Sequence, residues 1–327
     1  MKISFCIPVF RAEKYVGRCV RSLMEQTMEN DVEFIFVNDA SPDNSILEIQ
    51  RVVAEYPNRT EQVKFLHHST NFGPSKSRYT ALQEATGEYV LFVDSDDWVE
   101  KTLAEESYLF AKQNDFPDIV AMDYFEEQFQ KTIYHQESLP IETDRLSFLY
   151  SDCLNNNHSW TLWNKLLNRE FLLSYDIIED EKKFCYGEDR FACVKMFYSQ
   201  SSAACFHKAF YHYVWNTESI TKNKTDFHLE QLALFWNKVE DFLSAKSVSE
   251  EQRDLIEKQK VYDKAYVMLA VRNNKDRRPF ADLFREEEKR VGFSHLKGGA
   301  WLMSNLIHYH LFPLIAIYQI YINWRFK

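Results

Sequence analysis

Four apolar runs, each separated from the next by a helical stripe, constrain the fold of this chain more than any other feature. Residues 3–10 (ISFCIPVF) are almost continuously apolar, as a strand buried on both faces of a parallel sheet must be. Residues 12–27 then carry Val16, Val20, Leu23 and Met24 at helical spacing. Residues 32–37 (VEFIFV) read as a second strand, and Ser41-Pro42-Asp43-Asn44 supplies turn and N-cap chemistry for a helix through Ile46, Ile49, Val52 and Val53. A short strand over 63–67 and a turn at Asn71-Phe72-Gly73-Pro74 lead into a helix carrying Tyr79, Leu82 and Ala85, closed by Gly87. The fourth run, Tyr89-Val90-Leu91-Phe92-Val93, is followed by a helix over 103–112 and a strand over 118–124. This β-α-β order predicts an α/β fold, a parallel sheet with right-handed crossovers and helices on both faces. Ligands of such sheets bind beyond the carboxyl ends of the strands.

The fourth run stops abruptly in Asp94-Ser95-Asp96-Asp97-Trp98. Carboxylates are hard ligands suited to Mg²⁺ or Mn²⁺, and such a cation characteristically holds a diphosphate. No GxGxxG follows the first strand and no GxxxxGK[ST] occurs, which excludes the common dinucleotide-binding and P-loop classes. A phosphatase built on D-x-D would place its acids after the first strand rather than the fourth. The six cysteines show neither a CxxC pair nor zinc spacing and read as reduced core thiols. The first residues run straight into a strand, leaving no room for a cleaved leader, so a cytoplasmic protein is expected. The net charge of −10 conceals an asymmetry: from Lys289 onward there are five Lys/Arg and no acid, so residues 1–288 carry −15. An acidic body lacks the basic stripe that nucleic-acid binding needs.

The strand ends resemble the family 2 glycosyltransferases of GT-A fold, particularly the bacterial enzymes that build capsule, exopolysaccharide or lipopolysaccharide. Four motifs in order carry the resemblance: Pro8-Val9-Phe10-Arg11, with Arg where the family has Asn; Val37-Asn38-Asp39-Ala40-Ser41-Pro42-Asp43; Asn71-Phe72-Gly73-Pro74-Ser75-Lys76-Ser77-Arg78; and Thr86-Gly87-Glu88-Tyr89 through Asp97. The resemblance implies a Rossmann-like, mostly parallel central sheet flanked by helices, with a helical C-terminal extension. It implies that Pro8, Val9, Phe10 and Asp39 receive the base of a nucleotide sugar, most simply a UDP-sugar, and that Arg78 faces its diphosphate. Asp96 would ligate Mn²⁺ or Mg²⁺; Asp94, with Ser95, would hold the ribose or a metal-bound water. Asp97 is expected to cap the next helix. The family's G-E-D segment appears as Gly187-Glu188-Asp189 and implies Asp189 as general base, Glu188 second; an acidic helix cap is the plain alternative. Ser159-Trp160-Thr161-Leu162-Trp163-Asn164-Lys165-Leu166 resembles the W-N-K-L-Y segment under the acceptor cleft, so Trp160 or Trp163 could stack on a sugar or lie in the core. Tyr211-His212-Tyr213-Val214 matches Y-x-Y-R except for its Arg. His207 or His212 could complete the metal shell or simply pack.

The expected organisation is a nucleotide-sugar half at 1–125, an acceptor half at 126–225, a helical extension at 226–297 and an apolar aromatic tail at 298–327. In the extension, Leu232, Phe235, Trp236, Val239 and Phe242 form one stripe and Tyr262, Tyr266 and Leu269 another. Residues 298–324 contain no charge but are interrupted by Pro313 and several polar groups, and the chain then ends in Arg325-Phe326-Lys327. Aromatic and cationic anchors of this kind favour lying on a membrane over crossing it. The expected activity is inverting, metal-dependent transfer of a sugar to a hydroxyl of a growing, lipid-linked surface glycan, at the inner face of the cytoplasmic membrane. A catalytically silent sugar-nucleotide-binding subunit of an assembly complex is the alternative.

Overall fold

A computed structural model of the chain describes residues 1–129, 131–139, 146, 159–216, 226–271, 274–296, 298–315 and 317–318. It divides into two compact units, one comprising Met1–Ile141 and Asn157–Asn216, the other Glu142–Asn156 and Thr217–Lys327.

The first unit is built on one sheet, whose strands among the described residues are β1 (Ile3–Val9), β2 (Val32–Asn38), β3 (Val63–His67), β4 (Tyr89–Phe92), β5 (Trp98–Val99), β6 (Ile119–Gln128), β7 (Lys131–His135), β8 (Lys165–Asn168) and β9 (Ala203–Val214). The order is β3-β2-β1-β4-β8-β6-β9-β5, with β7 beside β6. Strands β1, β2, β3 and β4 are mutually parallel; β8 reverses between β4 and β6, and β9 runs parallel to β6. Expected strand limits at 3–10, 32–37 and 63–67 fall within a residue of those observed. The boundary expected at 125/126 falls inside β6, so both halves share one sheet.

Helices α1 (Val16–Met24), α2 (Ser45–Val53), α3 (Pro74–Glu84) and α4 (Leu103–Gln113) form the crossovers between these strands. Their inward stripes are the expected ones: Val16, Val20, Leu23 and Met24 of α1 pack on Ile3, Phe5, Ile7 and Val9 in the main core. Phe5 and Phe34 stack at 5.3 Å across β1 and β2. Burying such a side chain stabilises the fold by about 2–3 kcal/mol, which is why the continuous apolar runs could only be interior strands. Gly87 does not close α3, which ends at Glu84; a Cβ there would meet the Ser4 backbone nitrogen at 2.7 Å, so this glycine lets β4 approach β1. Helices α5 (Arg169–Ser174) and α6 (Glu188–Ser199) complete the described part of the unit.

The second unit includes α7 (Asp226–Ser244) and α8 (Glu250–Ala270). Leu232, Phe235, Trp236 and Val239 are buried as expected, and Trp236 Nε1 donates to Asp263 at 3.0 Å. The second expected stripe is displaced in part: Tyr262 packs on the cluster of Val261, Ala265 and Leu296, but Tyr266 is exposed, and Val261, Ala265 and Met268 form the buried face. Ion pairs set between those apolar positions explain the displacement, since Lys260 and Lys264 are buried against Glu287 and Glu288. In the tail a helix spans Gly298–His308. Trp301, Tyr309, Leu311, Leu314 and Ile317 are exposed, and no described helix is long and apolar enough to cross a membrane. The tail's Tyr321, Trp324, Arg325 and Lys327 lie outside the described residues.

Candidate active site

Parallel register sets the site. Val9 lies opposite Asn38 and Cys6 opposite Phe92, so the carboxyl ends of β1, β2 and β4 emerge side by side. The ladder continues one residue further, with Asp39 N–H on Val9 O at 3.0 Å and Val93 N–H on Cys6 O at 3.1 Å. Pro8, Phe10, Asp39 and the Asp94–Asp96 turn therefore share one edge. Val9 differs from expectation, because its side chain is fully buried and only its backbone faces this edge's chemistry. Arg11 and Ala40 both adopt left-handed backbone (φ 52° and 53°). Asn tolerates that region better than Arg, which gives a physical reason for the family's Asn at position 11.

Arg78, in the second turn of α3, is the hub. Nη1 donates to Asp189 Oδ1 at 2.7 Å and Glu188 Oε1 at 3.2 Å, and Nη2 donates to Asp94 Oδ1 at 2.9 Å. Only 5 % of its side chain is exposed. The guanidinium expected to face a diphosphate is thus engaged by three carboxylates, and its Nε is buried without a partner. Burial works against its charge, but Asp189, Asp94 and Glu188 more than compensate and hold it firmly protonated. Asp189 and Glu188 follow Gly187, whose left-handed φ of 90° starts α6. Both acids lie in the first turn, where the helix dipole favours negative charge. Burial, offset by Arg78 and reinforced by the neighbouring acids, still pushes Asp189 up to about 8 and Glu188 upward. A carboxylate with a raised pKa is a stronger base, as a group accepting a hydroxyl proton must be.

Asp96 receives one long hydrogen bond, from Asn216 Nδ2 at 3.4 Å, and burial with the nearby Asp94 raises its pKa. Two crowded carboxylates suit a hard divalent cation. No cluster of three or more His, Cys, Asp or Glu among the described residues is arranged to hold a metal. Asp94 and Asp96 alone nevertheless fit Mg²⁺ or Mn²⁺, which binds through one or two carboxylates with substrate phosphates and water filling the rest. Neither candidate histidine joins them. His212 is stacked on Trp98 at 3.5 Å and hydrogen-bonded to Glu100 and Glu127, while His207 faces Asp123.

Asp97 does not cap a helix. It is buried, accepting from Tyr211 OH and the Val214 N–H at 2.7 Å each, and Tyr211 also accepts the Asp94 N–H at 3.1 Å. Burial and the adjacent acids push Asp97 far above the usual carboxylate range. It is a strut that ties the acidic turn to β9, and Thr102 is the N-cap of α4. Ser95 is buried in the same turn.

Trp163 is in the core, 6 % exposed and stacked on Tyr211 at 4.4 Å, so it cannot receive a sugar. Trp160 is half-buried with Arg190 5.3 Å over its ring. The segment between them is fixed by a buried network: Lys165 Nζ donates to Thr161 O at 2.8 Å and Asn164 Oδ1 at 2.9 Å, and Glu137 accepts from Ser159 N at 2.8 Å and from Asn164. Glu137, the bond from Tyr211 to Asp97 and the structural role of Asp97 had no local signal. Each acts across a sequence separation that only the folded sheet closes.

The sequence profile described as Glycosyl transferase family 2 matches residues 4–172, just over half of the chain. The chain belongs to glycosyltransferase family 2. Two curated relatives, both from Bacillus subtilis, are the uncharacterized glycosyltransferase EpsJ, 27 % identical over 237 residues (70 % of this chain and 67 % of the relative), and the putative glycosyltransferase EpsH, 24 % identical over 353 residues (99 % and 98 %). Among solved structures, Staphylococcus aureus TarS 1–349 in complex with UDP-GlcNAc superposes with a TM-score of 0.60 at 18 % identity, covering 95 % of this chain and 92 % of that one. This glycosyltransferase therefore shares the fold, and its GT-A-type sheet carries the expected motifs at the expected edge.

Proposed function

We propose that this glycosyltransferase transfers a sugar, with inversion, from a UDP-sugar to a hydroxyl of a growing bacterial surface glycan, with Mn²⁺ or Mg²⁺ at Asp94 and Asp96. The observation that carries the reading is the single ion cluster through which Arg78 joins Asp94, from the end of β4, to Asp189, at the start of α6. A donor-side acid and a candidate base are thereby held on one guanidinium. Asp39 accepts the N–H of the base, beside Pro8 and Phe10. Asp189 takes the acceptor hydroxyl's proton as it attacks the anomeric carbon, and Glu188 is its electrostatic neighbour. A divalent cation bound by Asp94 and Asp96 would neutralise charge on the departing diphosphate. Trp160, the half-buried member of the tryptophan pair, borders the acceptor. The UDP-GlcNAc bound by TarS supports a UDP-linked donor.

A panel of nucleotide sugars, scored for Mn²⁺-dependent thermal stabilisation and then for transfer, tests this reading. Stabilisation by a UDP-sugar, lost in Asp96→Ala, is expected, as is Asp189→Asn binding the donor normally but turning over at least about 100-fold more slowly. Stabilisation that survives in Asp96→Ala would remove the metal role.

The exposed aromatic and aliphatic side chains of the tail, and the absence of acids beyond residue 288, support peripheral docking on an anionic membrane surface where a lipid-linked acceptor would reside. Ending the chain at Lys297 should abolish co-sedimentation with anionic vesicles. Retained sedimentation would place the anchor elsewhere.

A further inference from the structure

Asp39, which the proposed function assigns to the donor base, is held by more than its backbone. Its Oδ1 accepts from His68 Nδ1 at 2.7 Å and from the Phe72 N–H at 2.9 Å, and Oδ2 accepts from the Gly73 N–H at 2.8 Å. Oδ2 therefore keeps one lone pair for a ligand. His68 is itself held: its Nε2 lies 3.0 Å from Thr80 Oγ1. An ionised carboxylate only accepts, so Nδ1 carries the proton, and in the neutral ring Nε2 accepts the Thr80 hydroxyl. The His68 ring is 8 % exposed. It links the residue after β2 to α3, two elements whose chain positions lie far apart.

An Asp–His–hydroxyl chain of this connectivity also occurs in hydrolases, where the hydroxyl is a nucleophile. Here Thr80 is in the interior of α3, so the backbone N–H groups beside it are bonded within the helix and none is left to form an oxyanion hole. The chain orients; it does not attack.

We infer that His68 is a positioning residue of the donor pocket, fixing the Asp39 carboxylate so that Oδ2 meets the N–H of the base, with Thr80 setting the ring. The carboxyl torsion of aspartate is broad and two-fold, and the imidazole N–H selects one orientation. This inference rests on the base-pocket role of Asp39, and a double-mutant cycle separates the two.

UDP affinity is measured by titration calorimetry in Mn²⁺ for the full chain, Asp39→Ala, His68→Ala and the double variant. His68→Ala should weaken UDP about tenfold, the effect of one charge-assisted hydrogen bond, but less than about twofold in the Asp39→Ala background. His68→Asn, whose amide nitrogen stands at the Nδ1 position, should recover binding to within about threefold. His68→Gln, whose amide points towards Thr80 instead, should not; this pair carries the test if His68→Ala fails to fold. Additive losses in the cycle, or equal affinities for His68→Asn and His68→Gln, overturn the inference alone. Unchanged affinity in Asp39→Ala overturns the base-pocket reading and this inference with it.

Discussion

Replacing Arg78 by Met removes the cation that contacts Asp94, Glu188 and Asp189 at 2.9, 3.2 and 2.7 Å. Removing one partner of a buried ion pair costs about 3–5 kcal/mol, because the other charge is left uncompensated. Burial and mutual repulsion already push Asp189 up to about 8 with Arg78 opposing the rise. Without Arg78, Asp189 and Glu188 rise further and escape by taking up protons. An acid whose folded pKa exceeds its unfolded value stabilises the fold below the unfolded value and loses that contribution as pH climbs through the folded one. For Asp189 the window runs from the usual carboxylate range to about 8, and it extends higher in the variant. The penalty of Arg78→Met should therefore be about 1–2 kcal/mol near pH ~5.5, where lost hydrogen bonds dominate, and larger near pH ~8.5, by about 1 kcal/mol from Asp189 alone. Urea unfolding with chelator present, at both pH values, measures it. A penalty that is pH-independent, or larger at the lower pH, refutes the clustered-acid account.

Two further expectations separate structural from functional neighbours. Trp163→Ala should cost about 3–5 kcal/mol by opening a core cavity, whereas Trp160→Ala, which removes a half-buried ring packed against Arg190 and Phe197, should cost less and lower transfer; the reverse order would exchange their roles. Asp97→Asn keeps the side-chain volume but sets an amide NH2 against one of the two donors, the Tyr211 hydroxyl or the Val214 N–H, so it should cost about 1–3 kcal/mol and retain Mn²⁺-dependent UDP stabilisation. Asp96→Asn should lose that stabilisation, and identical behaviour of the two variants would dissolve the distinction drawn between adjacent acids.

Much of the donor edge was legible in the residue pattern. Strands β1, β2 and β4 are interior, so their sequences are forced to be apolar along most of their length, and the first polar residues after each mark its end. Because these three strands are parallel neighbours, those ends had to converge, which placed Pro8, Asp39, Asp94 and Asp96 together. The half beyond residue 125 was less legible. Strand β6 is shared by both halves, so no composition change marks a boundary, and aromatic residues there are buried in the core or only half-buried without any difference in local pattern. Trp163 and Trp160 illustrate this, being close neighbours of one residue type that differ only in their packing.

Sequence alone determined the order of strands and helices, the edge at which carboxylates collect, and the family, since periodicity and strand termination are local consequences of burial. The folded chain decided which charges meet. Arg78 finds Asp189 across 111 positions, Tyr211 reaches Asp97 across 114, and His68 reaches Asp39 across 29. Such pairings depend on angles between distant elements, and no pattern of neighbouring residues encodes them.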